Sequence, residues 1–131
     1  MTDAEFLAAF ENCTLTKADW THAAHVRMAW LYLSTGEPFE EVFARVRDGI
    51  QRLNRTVLDK PEGYHETITY AFLRLILARM KSNRAATFTS FCEKHPELLS
   101  PGVLLAYYSK NLLDSTSARK QTIPPDLAPL P

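Results

Sequence analysis

The chain has 131 residues, of which 46% are hydrophobic, and its 15 basic and 15 acidic side chains give a formal net charge of zero. This length suits one globular domain that builds a core without disulfide or metal staples. The zero charge argues against nucleic acid and gives no reason to expect an anionic membrane surface, because both are bound by basic residues. We therefore expect the partner to be a small-molecule ligand or substrate, or a second copy of the chain in a homodimer.

The cysteines and the N-terminal residues indicate a cellular compartment. Cys13 and Cys92 are far apart and form no C-x-x-C pair, so we interpret them as small buried residues in a reducing environment. The N-terminus is acidic and lacks the basic and apolar regions of a signal peptide. No apolar run approaches the roughly 20 residues of a membrane span. These features predict a soluble cytoplasmic protein.

Helical periodicity runs through the sequence and β-type alternation is scarce, which predicts an all-α fold, a compact bundle of five to six helices. The first helix is expected at about 3–12, with Thr2 as its N-cap. Thr16 and Asp19 resemble a capping box, so we expect them to begin a second helix that Gly36 ends.

Four more helices are expected after this point. Pro38 begins the third, which has an apolar stripe on one face and charged residues on the other. The fourth spans about 64–81. Asn83 is a candidate cap for the fifth, which reaches about residue 94, and the sixth covers 101–113.

The end of the sequence predicts a different structure. Residues 1–121 are expected to form a single helical domain. Residues 122–131 contain four prolines, so they are expected to form an extended proline-rich C-terminal arm. The arm also carries apolar residues that suit packing on the helices, and Arg119 is a candidate to hold it through Asp126.

Three histidines carry most of the functional information. His22 and His25 lie near the start of the second helix and His65 near the start of the fourth, and both helices are apolar on nearly all sides. Helical residues three apart share a face, with Cβ atoms about 5–6 Å apart, so two such imidazoles can reach one ion. A catalytic zinc site takes three protein ligands and leaves a position for water. The pattern predicts a site of His22, His25 and His65 for zinc, nickel or iron, the ions that imidazole suits.

Six other residues are assigned roles around this predicted site. Glu66 points away from His65 on a helical wheel, so it is predicted to be a general base on metal-bound water or a hydrogen-bond partner of a ligand. For Arg27 the favoured alternative to binding an anionic substrate is a core salt bridge, or a side chain that extends its charged end to solvent. For Tyr108 the favoured alternative is core packing with a satisfied hydroxyl. The residues predicted to hold a small polar substrate are Arg27, Asn54, Tyr64, Thr69 and Tyr108.

The histidines have two other interpretations, which leave open whether the protein is an enzyme. H-x-x-H is common by chance and differs from the H-E-x-x-H of zinc proteases. In one alternative the imidazoles line a metal-free pocket, and the protein is a non-catalytic module that binds a small molecule or a protein. In the other they are structural groups that bond backbone carbonyls or cap helices. His95, just before Pro96, is expected to be a surface residue or a C-terminal cap.

The chain resembles a family of small bacterial proteins over nearly its whole length. The resemblance rests most on W-T-H-A-A-H at 20–25 and Y-H-E-T-I-T at 64–69. It implies a small bacterial single-domain protein and implies no reaction. The chain is also loosely similar in architecture to DinB-type bundles, in which three histidines on helices bind a metal. The remaining stretches that carry the family resemblance are 26–33, 52–54, 107–109, 117–119 and 125–131.

Overall fold

A computed structural model describes all 131 residues and contains helices, turns and loops without any β-strand. The prediction of an all-α fold is confirmed. Packing divides the chain into two compact units, a first unit Met1–Tyr64 and a second unit His65–Pro131. The prediction that residues 1–121 form a single domain is not tested by this division and stays a prediction. None of the helices combines the length and the apolar character that a membrane span requires.

The first unit contains three α-helices that pack on one another, α1 (Asp3–Glu11), α2 (His22–Leu33) and α3 (Phe39–Thr56). Thr2 caps α1 as predicted. Its hydroxyl accepts a hydrogen bond from the Glu5 N–H at 3.1 Å, and the Glu5 carboxylate accepts one from the Thr2 N–H at 3.2 Å. The two bonds satisfy backbone donors that the helix leaves unpaired. Hydrogen bonds to the Glu5 carboxylate from the N–H and the side chain of Thr2 lower the pKa of Glu5.

Helix α2 begins later than predicted. Thr16 and Asp19 do exchange hydrogen bonds of 3.1 and 3.2 Å between side chain and backbone, but they close a turn. The helix starts at His22, and the hydroxyl of Thr21 caps it by accepting from the Ala24 N–H at 3.1 Å. Side chains of this kind satisfy the N–H groups of a turn as well as those of a helix, so the pattern alone does not show which follows.

Helix α3 confirms the predicted apolar stripe. Its buried residues include Val42, Val46 and Leu53, while its charged residues face outward or lie half-buried. At Gly49 the helix approaches α1 so closely that an added Cβ would lie 2.4 Å from Cε2 of the fully buried Phe10. The missing side chain at Gly49 therefore sets the spacing between α1 and α3.

The second unit is built from shorter pieces. Only its first helix is long. Its elements in chain order are α4 (Glu66–Ser82), α5 (Phe88–Lys94), the 3₁₀ helices η1 (Pro96–Leu99) and η2 (Pro101–Ala106), α6 (Lys110–Leu113) and α7 (Thr116–Lys120). The predicted end of the fifth helix at about residue 94 is met by α5, and the outer bounds predicted for the sixth helix, 101 and 113, are met by the start of η2 and the end of α6.

Three differences from the predicted helices have local causes. His65 lies outside α4 as its N-cap. Thr87, not Asn83, caps α5, with its hydroxyl accepting from the Ser90 N–H at 3.1 Å. The predicted sixth helix is broken before Ser109, whose N–H donates to the carboxylate of Asp126 at 2.8 Å. Because that N–H bonds the arm, it does not continue the helix that precedes it.

The arm is non-helical, as predicted, and lies on the second unit. Asp126 does hold the arm, and the partner that its Oδ1 accepts from is the backbone N–H of Ser109. This bond ties the arm to the start of α6, and the role predicted for Arg119 stays a prediction.

Candidate functional site

The structure brings two of the predicted metal ligands together. His22 is the first residue of α2 and His25 follows one helical turn later, both half-buried, so the two imidazoles share a face. We call these two residues the α2 histidine pair. His65 belongs to the second unit. No three side chains among the histidines, cysteines, aspartates and glutamates form a group that could hold a metal ion. The three-histidine site stays a prediction.

The ring of His25 is fixed in orientation and tautomer. Its Nδ1 lies 2.7 Å from the carbonyl oxygen of Thr21, so Nδ1 carries the proton and donates, and Nε2 keeps its lone pair. The ring also lies against the indole of Trp20, with centroids 3.8 Å apart and an interplanar angle of 31°. Metal-ligating histidines are commonly held in this way, by a carbonyl that accepts from the nitrogen opposite the metal.

The electrostatics of the pair favour the neutral imidazole at His25. Burial lowers the pKa of His25, the hydrogen bond to Thr21 opposes this, and the positive charge of His22 lowers the pKa further. The neutral form is the one that ligates a metal ion or accepts a hydrogen bond at Nε2. His25 is thus prepared as a donor of an electron pair.

His65 is placed differently, because both of its ring nitrogens are already used. Nδ1 accepts a hydrogen bond from the Ile68 N–H at 3.1 Å, and Nε2 donates to the carbonyl oxygen of Leu113 at 2.6 Å. The side chain is buried, and the hydroxyl of Thr69 donates to the His65 carbonyl at 2.8 Å. A metal ion would have to displace one of these bonds, so the geometry gives His65 the structural role of capping α4 and joining it to α6.

Arg27 forms an ion pair with Asp3, but the pair lies at the surface and not in the core, since 53% of the Asp3 side chain is exposed. Its Nη2 lies 2.9 Å from Oδ1 of Asp3 and 3.1 Å from the carbonyl oxygen of Met1. The guanidinium also lies over the ring of Phe6, 4.5 Å from the centroid. These contacts fasten the start of α1 to α2, and binding of an anionic substrate by Arg27 would compete with them.

Tyr108 follows its alternative. It is fully buried, and its hydroxyl donates to the carbonyl oxygen of Ile123 at 3.0 Å. Burial raises the pKa of Tyr108, and the negative charges of Tyr70 and Asp126 act in the same direction. The phenol therefore stays protonated and serves as a hydrogen-bond donor to the arm.

The other predicted residues keep their assignments as predictions. Asn54 is buried on α3, and its Nδ2 packs 3.4 Å from the position that a Cβ on Gly63 would occupy. Tyr64 ends the first unit and is half-buried. Glu66 is the half-buried first residue of α4.

Sequence reasoning missed several groups that position the histidines. Thr21 can be identified from the sequence, because a threonine directly before an apolar helical run is a typical N-cap. Nothing in the sequence pointed to the carbonyl of Leu113 as the partner of His65. Of the two alternatives predicted for His95, the structure has the C-terminal cap: His95 is the C-cap of α5, and it is buried, with 6% of it exposed. The α5 residue Phe91 packs against its ring at a centroid distance of 5.1 Å.

No family model, curated protein or solved structure matches the chain. The residues of the chain, and above all the α2 histidine pair, are therefore what indicates a function.

Proposed function

We propose that the protein binds a divalent transition-metal ion through the α2 histidine pair and uses the ion to hold a small polar ligand or substrate. The observation that supports the proposal most is the 2.7 Å hydrogen bond from Nδ1 of His25 to the carbonyl of Thr21. It holds the ring with the lone pair of Nε2 available, one helical turn from a second imidazole.

The chemistry of two imidazoles indicates which ions fit. Nitrogen ligands suit zinc, nickel and ferrous iron, and affinity generally rises along the first-row series from iron to nickel. Because the chain groups no third ligand with this pair, the other coordination positions fall to water or to a polar ligand. A metal ion with open positions polarises a bound carbonyl or lowers the pKa of a bound water. A hydrolytic or lyase reaction on a small polar substrate is the activity we would seek first.

Trp20 provides an internal probe for the test. Its indole lies 3.8 Å from the ring of His25, so a paramagnetic ion such as Ni²⁺ at the pair should quench its fluorescence. The experiment titrates Zn²⁺ and Ni²⁺ into protein purified without a histidine tag, and follows heat by calorimetry and quenching by fluorescence. A Trp20→Phe variant separates the signal of Trp20 from that of Trp30.

The variants distinguish ligands from structural histidines. We expect His22→Ala and His25→Ala each to weaken binding at least about tenfold, as expected when one of few ligands is lost. His65→Asn is the matched control, because asparagine keeps an N-cap and removes an imidazole elsewhere. It should bind metal as the parent does. A parent that binds neither ion, or binding unchanged in both α2 variants, would refute the proposal.

A metal-free binding module is the second candidate, and the placement of His65 favours it. Because both nitrogens of His65 bond within the second unit, one of the three imidazoles already acts as a structural hydrogen-bonding group. The α2 histidine pair would then hold an organic ligand or a protein by hydrogen bonds alone. A melting temperature unaffected by chelator, together with an organic molecule that copurifies and is lost in His25→Ala, would favour this candidate.

A further inference from the structure

Aromatic rings of the first unit follow one another from the α2 histidine pair into the core. The ring of His25 lies against the indole of Trp20 at a centroid distance of 3.8 Å. That indole stacks on Phe10, with centroids 5.3 Å apart and an interplanar angle of 26°. Phe10 in turn meets the ring of Tyr32 edge-on, at a centroid distance of 6.2 Å and an angle of 62°. We call Trp20, Phe10 and Tyr32 the aromatic row, and all three are buried.

The aromatic row ends at a carboxylate. The hydroxyl of Tyr32 donates to Oε1 of Glu11 at 2.7 Å, and Glu11 is the exposed last residue of α1. Burial raises the pKa of Tyr32, and the hydrogen bond to Glu11 and the negative charge of Glu11 raise it further, against the opposing charges of Arg45 and Arg52. The phenol therefore keeps its proton unless it loses an electron. An oxidised phenol is a strong acid, and the carboxylate is in place to accept its proton.

The buried tyrosine of the second unit shows that packing alone does not require a carboxylate. Tyr108 is also fully buried, and its hydroxyl donates to the carbonyl oxygen of Ile123 at 3.0 Å. A carbonyl satisfies the hydrogen bond that a buried phenol needs, but it is too weak a base to take the proton. Tyr32 differs from Tyr108 in having a base as its partner and another oxidisable ring, Trp20, in the same aromatic row.

We propose that the aromatic row passes an electron from Tyr32 to an oxidant at the α2 histidine pair, which makes Tyr32 a redox-active tyrosine and Glu11 its proton acceptor. Tryptophan and tyrosine are readily oxidised by one electron, and Phe10 bridges them without being oxidised itself. The source of the oxidant rests on the proposed function, because ferrous iron is one of the ions that suit two imidazoles.

The electrons and protons of this step balance with hydrogen peroxide as the oxidant. Peroxide accepts two electrons and two protons from solvent, its O–O bond breaks, and two water molecules form. The ferrous ion supplies one electron and becomes ferric. Tyr32 supplies the other through Phe10 and Trp20, its O–H bond breaks, and its proton moves to Glu11. A neutral tyrosyl radical remains, so the oxidising equivalent leaves the imidazole ligands and reaches Tyr32.

The first experiment replaces the metal ion with a photo-oxidant. The full chain carries His22→Cys, with Cys13→Ala and Cys92→Ala, and a ruthenium polypyridyl complex is attached to the new thiol. A light flash and an external quencher oxidise the complex beside His25 with no metal ion at the pair. We expect transient absorption to show a tyrosyl radical that is lost in Tyr32→Phe and retained in Tyr108→Phe, the matched control.

Two more substitutions test the path and the proton acceptor in the labelled chain. Trp20→Phe should slow formation of the tyrosyl radical, whereas Trp30→Phe should not. Glu11→Gln keeps a hydrogen-bond acceptor and removes the base, so it should also slow formation, and its exposed position leaves the core intact. No tyrosyl radical in the labelled chain, an equal radical in Tyr32→Phe, or unchanged rates in both Trp20→Phe and Glu11→Gln would each overturn the proposal.

The second experiment adds hydrogen peroxide to the unlabelled chain loaded with ferrous iron, and records electron paramagnetic resonance after rapid freezing. We expect a tyrosyl signal that disappears in Tyr32→Phe and in His25→Ala. A radical after the flash but none with iron would support the path and count against iron at the α2 histidine pair. Failure of the flash experiment would refute the path whatever the metal binding shows.

Discussion

Replacing His65 with alanine tests whether this histidine is structural. The substitution removes the Nδ1 that caps α4 by accepting from the Ile68 N–H and the Nε2–H that donates to the carbonyl of Leu113. We expect a loss of stability with no change in metal binding, because the α2 histidine pair is untouched.

The expected loss follows from the two bonds. Removing an N-cap side chain costs about 1 kcal/mol. Leaving the carbonyl of the half-buried Leu113 without its partner costs about 1–3 kcal/mol. The free energy of unfolding should therefore fall by about 2–4 kcal/mol in His65→Ala. His65→Asn restores a capping side chain and should recover about 1 kcal/mol of the loss.

Urea denaturation followed by circular dichroism measures both variants beside the parent, and calorimetric titration with Zn²⁺ accompanies each. A loss below about 0.5 kcal/mol in His65→Ala, at the level of an ordinary surface substitution, would refute the structural role. So would loss of metal binding in His65→Asn with stability unchanged, since that result would make His65 a ligand.

Two further predictions concern packing and pH. Gly49→Ala should destabilise the chain by about 1–2 kcal/mol net, because the new methyl would lie 2.4 Å from Cε2 of Phe10, and overpacking outweighs the gain in helix propensity; an unchanged urea midpoint would contradict this. Hydrogen bonds from the side chain and the N–H of Ser109 lower the pKa of Asp126 below its ordinary 3.8. The contribution of its carboxylate is thus present above pH 3.8 and is lost as pH falls through the lowered pKa. The difference in unfolding free energy between the parent and Asp126→Ala should stay constant from neutral pH to about pH 4 and shrink below it, and a difference that persists undiminished at about pH 2 would argue against this bond.

Much of the first unit was predictable because its helices are bounded by local signals. Thr2 and Glu5 satisfy each other within one turn, and Pro38 stands where α3 begins. Gly36, with a φ of +78°, adopts the left-handed conformation that favours glycine after a helix. Each of these signals depends on residues that are close in sequence, so it can be recognised from the sequence alone. The sequence predicts too early a start for α2, because the hydrogen bonds between Thr16 and Asp19 also fit a turn.

The second unit was less predictable because distant residues decide its boundaries. The helix expected over 101–113 is interrupted where Ser109 donates to a carboxylate 17 positions later. His65 was predicted inside a helix as a ligand, whereas its Nε2 bonds a carbonyl 48 positions away. Neither pairing can be identified from the neighbouring sequence, since any backbone carbonyl can accept from an imidazole and any carboxylate can accept from a backbone N–H.

The sequence by itself determined that the chain is helical, that two histidines lie three residues apart on the second helix, and that the last ten residues are not helical. These properties follow from periodicity, spacing and proline content, which act between neighbours. Only the tertiary structure decided which imidazole nitrogens are already bonded and where the arm lies. Backbone groups must find partners when they are buried, and in a folded chain those partners come from whatever segment packs beside them. That requirement ties both ring nitrogens of His65 and the N–H of Ser109 within the second unit, and it ties Nδ1 of His25 to the carbonyl of Thr21.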